Sequence, residues 1–137
     1  MTAVIRDRVS IAQLSKFVPA ACGEVWSFAR AAGLARPGRH VALYLAEGWV
    51  EVGVEVAAAF VGGARVQCSR LPTGRTAHAV HLGPYGGLGA AHLAIRDACA
   101  ARGLHPTGVS WEIYGHWQDS WNTNPAQIRT DVHYLLA

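Results

Sequence analysis

Charge is scarce in this 137-residue sequence, and lysine is almost missing. Charged residues make up 15% of the chain, where an average globular chain has roughly 25%. With 51% hydrophobic residues, that composition excludes a disordered tail, a collagen-like repeat and a long coiled coil. Lys16 is the only lysine, and the 11 arginines are scattered from Arg6 to Arg129. Their densest group, Arg30, Arg36 and Arg39, brackets a turn and forms no stripe. A net charge of +3 spread in this way argues against direct nucleic-acid contact, which calls for a concentrated basic face.

Long apolar runs are missing too. The longest, Val56 to Val61, is far too short to cross a bilayer. Nothing apolar follows the charged Arg6-Asp7-Arg8 in the manner of a signal peptide. A cytoplasmic protein with no membrane partner is expected. Cys22, Cys68 and Cys99 are odd in number and widely spaced, with no CxxC or Cys-His pattern, so they read as reduced thiols. Among the seven histidines, His78 and His81 point opposite ways along a strand. His116 and His133 could approach each other on paired strands, but no cysteine or carboxylate cluster accompanies them. His92 lies on a helix stripe as a core histidine. No metal and no cofactor are expected.

The length fits one domain, residues 1–137, with more apolar surface than a core alone requires. Two helices ended by glycine stand out. The first spans about Pro19 to Ala32, with Val18, Ala21, Cys22, Val25, Phe28, Ala29 and Ala32 on one face and Gly33 just beyond its end. Pro19 suits its first turn. The second spans about Gly86 to Arg102, with Leu88, Ala91, His92, Ile95, Ala98 and Cys99 as its stripe and Gly103 as its stop. Gly33-Leu34, Gly38 and Tyr44 recur as Gly103-Leu104, Gly108 and Tyr114, at a constant offset of 70 residues. This points to an internal duplication, with copies at about 8–64 and 65–137.

Strands fill the remainder. They are expected at Val9–Leu14, His40–Ala46, Trp49–Val56, Val66–Leu71, Thr76–His81, Val109–Trp117 and Ile128–Leu136. Glu47-Gly48 makes the turn of a hairpin, and Gln118–Gln127 is a polar connection. Each copy is then strand, helix, strand, strand. Two copies form an α+β domain whose antiparallel sheet carries both helices on one face.

The segment Ser110 to Trp117 carries the most chemistry. Alternation puts Trp111, Ile113 and Trp117 on one face of the strand, and Glu112, Tyr114 and His116 on the other. If the helices cover the Trp111 face, Glu112 and Tyr114 look out from the opposite side. The matching strand of the first copy offers Ala42 and Tyr44 there. A carboxylate between two aromatic rings suits a flat cationic ligand, which gains stacking, cation–π attraction and a counter-charge. A solvated sheet face that binds nothing is the competing reading, and the pattern alone does not decide between them. The run Gly83 to Gly89 lacks both the GxGxxG order and a Lys-Ser/Thr ending, so it reads as a tight strand-to-helix turn and not as a phosphate loop.

His81-Leu82-Gly83-Pro84-Tyr85-Gly86-Gly87-Leu88, with Pro72-Thr73-Gly74 before it and Ser110-Trp111-Glu112-Ile113-Tyr114 and Ile128-Arg129-Thr130-Asp131-Val132 after it, resembles the gyrase-inhibitor-like (GyrI-like) family. These motifs stand in that family's order from about residue 66 onward, while the first half resembles it weakly. The resemblance implies a duplicated strand-helix-strand-strand fold whose curved sheet forms a groove for small molecules. Such domains occur alone or as effector-binding parts of AraC-type and MerR-type regulators, and bind diverse drug-like, often cationic and aromatic compounds. By this resemblance the central glutamate is Glu112 and the strand tyrosine is Tyr114. Tyr44 follows only through the internal repeat. With no helix-turn-helix in the sequence, a stand-alone domain is expected.

Trp26 and Trp111 read as helix-sheet packing. Trp49, Trp117 and Trp121 fall at strand ends and in the polar connection, as walls of a groove or as part of a dimer contact. The expected function is binding of a small aromatic or cationic compound by a monomer or homodimer. Some family members resemble hydrolases that open a cyclopropane. Here that would use Glu112 as general base and Tyr114 or Tyr44 as hydrogen-bond donor. A module that inhibits or protects a larger protein is the third reading.

Overall fold

A computed structural model describes residues 1–34 and 37–137; Arg36 of the basic group falls outside them. The fold is α+β, and every described strand pairing is antiparallel. The chain forms two compact units, Met1–Pro72 and Thr73–Ala137.

In the first unit, β1 (Thr2–Arg8), α1 (Leu14–Ala31), β2 (His40–Tyr44), β3 (Trp49–Glu55) and β4 (Val66–Ser69) follow in order. β1 pairs with both β3 and β4, and β2 closes a hairpin with β3. The first strand lies ahead of the expected Val9–Leu14. Thr2 to Ile5 is buried on both faces, which hides the alternation that marks a half-buried strand. Ser10 and Gln13 then turn the chain. Gln13 donates its backbone N–H to Ser10 O at 3.0 Å, and Ser10 N–H donates to Gln13 Oε1 at 3.3 Å, so Ile11–Gln13 is a 3-10 turn leading into α1. Pro19 therefore lies inside α1 and not at its start. It forgoes one hydrogen bond to the preceding turn, in a helix held to β1 and β3 by Ala21, Val25 and Ala29.

The hairpin turn places Glu47 and Gly48 at φ 61° and 81°, the left-handed pair that matches strand twist in tight hairpins. Gly53 is obligatory for a different reason. A Cβ there would stand 1.8 Å from the carbonyl oxygen of Ala3, so only glycine lets β1 lie against β3 in this register.

The second unit comprises β5 (Thr76–Leu82), α2 (Leu88–Ala101), β6 (Pro106–Tyr114), a one-turn α3 (Ser120–Thr123) and β7 (Arg129–Leu136). β7 is the middle strand, between β5 and β6. Leu88, Ile95 and Cys99 of α2 close over Val132 and Tyr134. The two long helices end alike: Gly33 and Gly103 both take φ 68°, and Leu34 and Leu104 each donate a 2.9 Å hydrogen bond back to Ala29 and Cys99. The shared stop explains why the 70-residue offset is visible in the sequence.

Candidate functional site

Residues directly opposite one another in an antiparallel pair share a face. In the second unit Glu112 is opposite Val132, Tyr114 opposite Thr130, and Ser110 opposite Tyr134, while β5 adds Ala77, Ala79 and His81. α2 covers this face. That corrects the arrangement in which helices hide Trp111 and leave Glu112 looking outward. Parity says which residues share a side, but not which side receives the helix. Both sides of β6 are buried, Trp111 at 5% exposure and Glu112 at 4%.

A carboxylate in that position needs donors, and the helix and strand supply them. Tyr114 donates its hydroxyl to Glu112 Oε1 at 2.7 Å. His92 Nε2 lies 2.7 Å from Glu112 Oε2, and its Nδ1 lies 2.6 Å from the Tyr134 hydroxyl. Arg96, one turn along α2 from His92, donates to the same hydroxyl at 3.2 Å. One chain of hydrogen bonds thus runs Arg96, Tyr134, His92, Glu112, Tyr114. Burial pushes the Tyr134 phenol above its ordinary pKa against the pull of Arg96, so it keeps its proton.

Tyr134 oxygen accepts from Arg96 and also lies against His92 Nδ1, to which its O–H can donate. When it does, Nδ1 accepts and the proton on Nε2 donates to Glu112.

Tyr85 completes the local aromatic wall. It lies in the 3-10 turn Tyr85–Gly87 and meets the Tyr114 ring edge-on at 5.6 Å. Its turn is braced by His81, whose Nε2 is 3.1 Å from the Pro84 carbonyl. The glycine-rich run is thus a strand-to-helix turn. Beside Tyr114, Thr130 is fully buried and its hydroxyl has no hydrogen-bond partner among the described residues.

The opposite face of the same sheet is occupied differently. His78, His133 and Trp111 form a row of parallel rings across the three strands, with centroids 4.4 and 5.2 Å apart. Asp131 accepts from Arg129 Nη2 at 3.0 Å and pairs with His78 Nε2 at 3.0 Å. His133 thus stacks between His78 and Trp111. No cluster of three or more metal-ligating side chains occurs among the described residues, and no helix among them is long and apolar enough to cross a membrane.

Trp117 and Trp121 meet edge-on at 5.4 Å. Trp121 is 5% exposed and rests on Gly115, whereas Trp117 is 53% exposed. The two rings thus divide their work, one anchoring the connection after β6 and the other facing solvent. In the first unit Tyr44 shares a face with Val50, Val52 and Val54. Trp49 alternates onto the other face, beneath the Arg6 guanidinium at 5.2 Å. These two rings do not line one surface of their sheet.

At the 70-residue offset, His92 and Glu112 correspond to Cys22 and Ala42. Burial pushes the Cys22 thiol up to about 11, so the first copy is uncharged where the second carries an imidazole and a carboxylate. The fold therefore does not require the polar chain. It is a property of the second copy alone.

No family model matches the chain, and no curated protein matches it. Among solved structures it is similar to the crystal structure of the EcmrR C-terminal domain, with a TM-score of 0.75 and 17% identity over 99% of this chain and 90% of that one. It is also similar to an uncharacterized conserved protein from Listeria innocua, with a TM-score of 0.58 and 14% identity over 100% of this chain and 88% of that one. At these identities the likeness is one of fold.

Proposed function

We propose that this chain is a GyrI-like effector-binding domain that takes a small aromatic cation, with Glu112 as counter-charge and Tyr114 and Tyr85 as stacking surfaces. The observation that carries this reading is the buried Glu112 carboxylate, held by Tyr114 and His92 beside two aromatic rings. Burying a carboxylate costs several kcal/mol unless it is compensated, and the first copy folds the same way with alanine in its place. A function that uses the charge accounts for that expense. The shared fold with the EcmrR C-terminal domain agrees with the effector-binding arrangement that the sequence resemblance implies.

The same Tyr114–Glu112 pair would serve a hydrolase, with the carboxylate as base toward water and the phenol as donor to the opening ring. Tryptophan-fluorescence titration with aromatic cations, neutral aromatics and one cyclopropane-bearing electrophile separates the readings, with mass analysis of any product. Saturable quenching by the cations, with the electrophile recovered intact, supports the binding domain. Turnover of the electrophile to its water adduct would make the chain an enzyme. No response to any of them would overturn both.

A further inference from the structure

Facing His92 on the side of the sheet that α2 covers are Glu112 and Tyr114 from β6, Tyr134 from β7, His81 from β5 and Tyr85 from the turn before the helix, with Arg96 and Cys99 on α2 itself. His92 touches both the carboxylate and the Tyr134 hydroxyl that Arg96 holds. When Tyr134 donates to Nδ1, the ring carries one proton, on Nε2, and gives Glu112 a hydrogen bond without a full charge. A second ring proton would arrive on Nδ1. It would turn Tyr134 into an acceptor for both His92 and Arg96, and would set a full positive charge 2.7 Å from the carboxylate.

We propose that His92 sets the charge Glu112 presents to a ligand: neutral, it orients the carboxylate toward a cationic guest, and protonated, it competes with that guest. This rests on the reading of Glu112 as the ligand's counter-charge. The effect is differential, because an added cation at this distance lowers whatever a guest cation gains from Glu112. Histidine is the side chain whose charge ordinarily changes between about pH 5 and 8. The site is thereby selective for permanent cations at neutral and higher pH, and releases them in acid.

N-methylquinolinium is a suitable probe, since its charge does not vary with pH, and methylnaphthalene is its neutral counterpart. Calorimetric titration into the full chain should show roughly tenfold tighter binding of the cation at about pH 8 than at about pH 5, with methylnaphthalene unchanged. In His92→Gln, whose amide can still donate to Glu112, the two pH values should agree within about twofold. Heteronuclear NMR of the unliganded wild-type ring supplies a readout independent of the variant. It should show a neutral His92 with its proton on Nε2 at about pH 8. A proton on Nδ1 would overturn the proposal. So would pH-independent binding of a cation that still requires Glu112, which would leave the counter-charge reading standing. Absence of cation binding at both pH values would overturn the two together.

Discussion

The imidazole of His92 and the carboxylate of Glu112 meet at 2.7 Å across the interface of α2 and β6, deep enough that the glutamate is 4% exposed. A helix residue and a strand residue thereby share one proton between them, and Tyr114 and Tyr134 hold the two ends. Each link in that chain can be tested by removing one atom or one charge.

Tyr134→Phe deletes a single oxygen but strips partners from both His92 Nδ1 and Arg96. The His92 nitrogen is half-buried, so the cost should be about 1–2 kcal/mol in urea unfolding. An unchanged midpoint would mean that the hydroxyl does not hold the imidazole.

Thr130→Val is expected to act in the opposite sense. It replaces a fully buried hydroxyl that has no partner with a methyl of nearly the same shape. Stability should hold or rise by up to about 1 kcal/mol. Marked destabilisation in the unliganded protein would show that the hydroxyl is satisfied.

The alike helix stops and the shared face of Glu112 and Tyr114 were legible in the sequence because glycine stops and strand parity leave local marks. Gly33 and Gly103 follow helices that end through the same backbone hydrogen bond, and glycine at that position is a local mark. The side on which α2 sits was not legible, since Trp111 and Glu112 are both buried and composition gives no preference between their faces. Nor was β1, whose Thr2–Ile5 run is buried on both sides. His92 was visible as a member of the helix stripe, but its partners were not. The available signal was paired: at the repeat offset His92 stands for Cys22 and Glu112 for Ala42, two polar replacements that meet in space.

Asp131 gives the second unit a sensitivity to acid. Burial would raise its pKa, but hydrogen bonds from Arg129 and His78 outweigh burial and hold it below the ordinary carboxylate value. A lowered folded-state pKa stabilises the protein above the unfolded value, near 4 for aspartate, and that stability is lost as pH falls through the folded value. Asp131→Asn should therefore be less stable than wild type at neutral pH, and the gap should close on acidification below about pH 4. A gap independent of pH across that range would assign the effect to packing.

Thiol chemistry distinguishes the three cysteines. Cys68 is exposed, Cys99 is buried, and burial pushes Cys22 up to about 11. Alkylation of the native protein near neutral pH should modify Cys68 first, with Cys22 and Cys99 following only on unfolding. Rapid native modification of Cys22, read by peptide mass analysis, would contradict the packing of α1.

Glu112→Gln tests the central claim most directly. The amide retains the shape and an acceptor for Tyr114 or His92 while removing the negative charge. Calorimetry with N-methylquinolinium and methylnaphthalene should show the cation losing at least about tenfold in affinity and the neutral ring changing by less than about threefold. Equal losses for both ligands, or none for the cation, would contradict the role of Glu112 as the counter-charge.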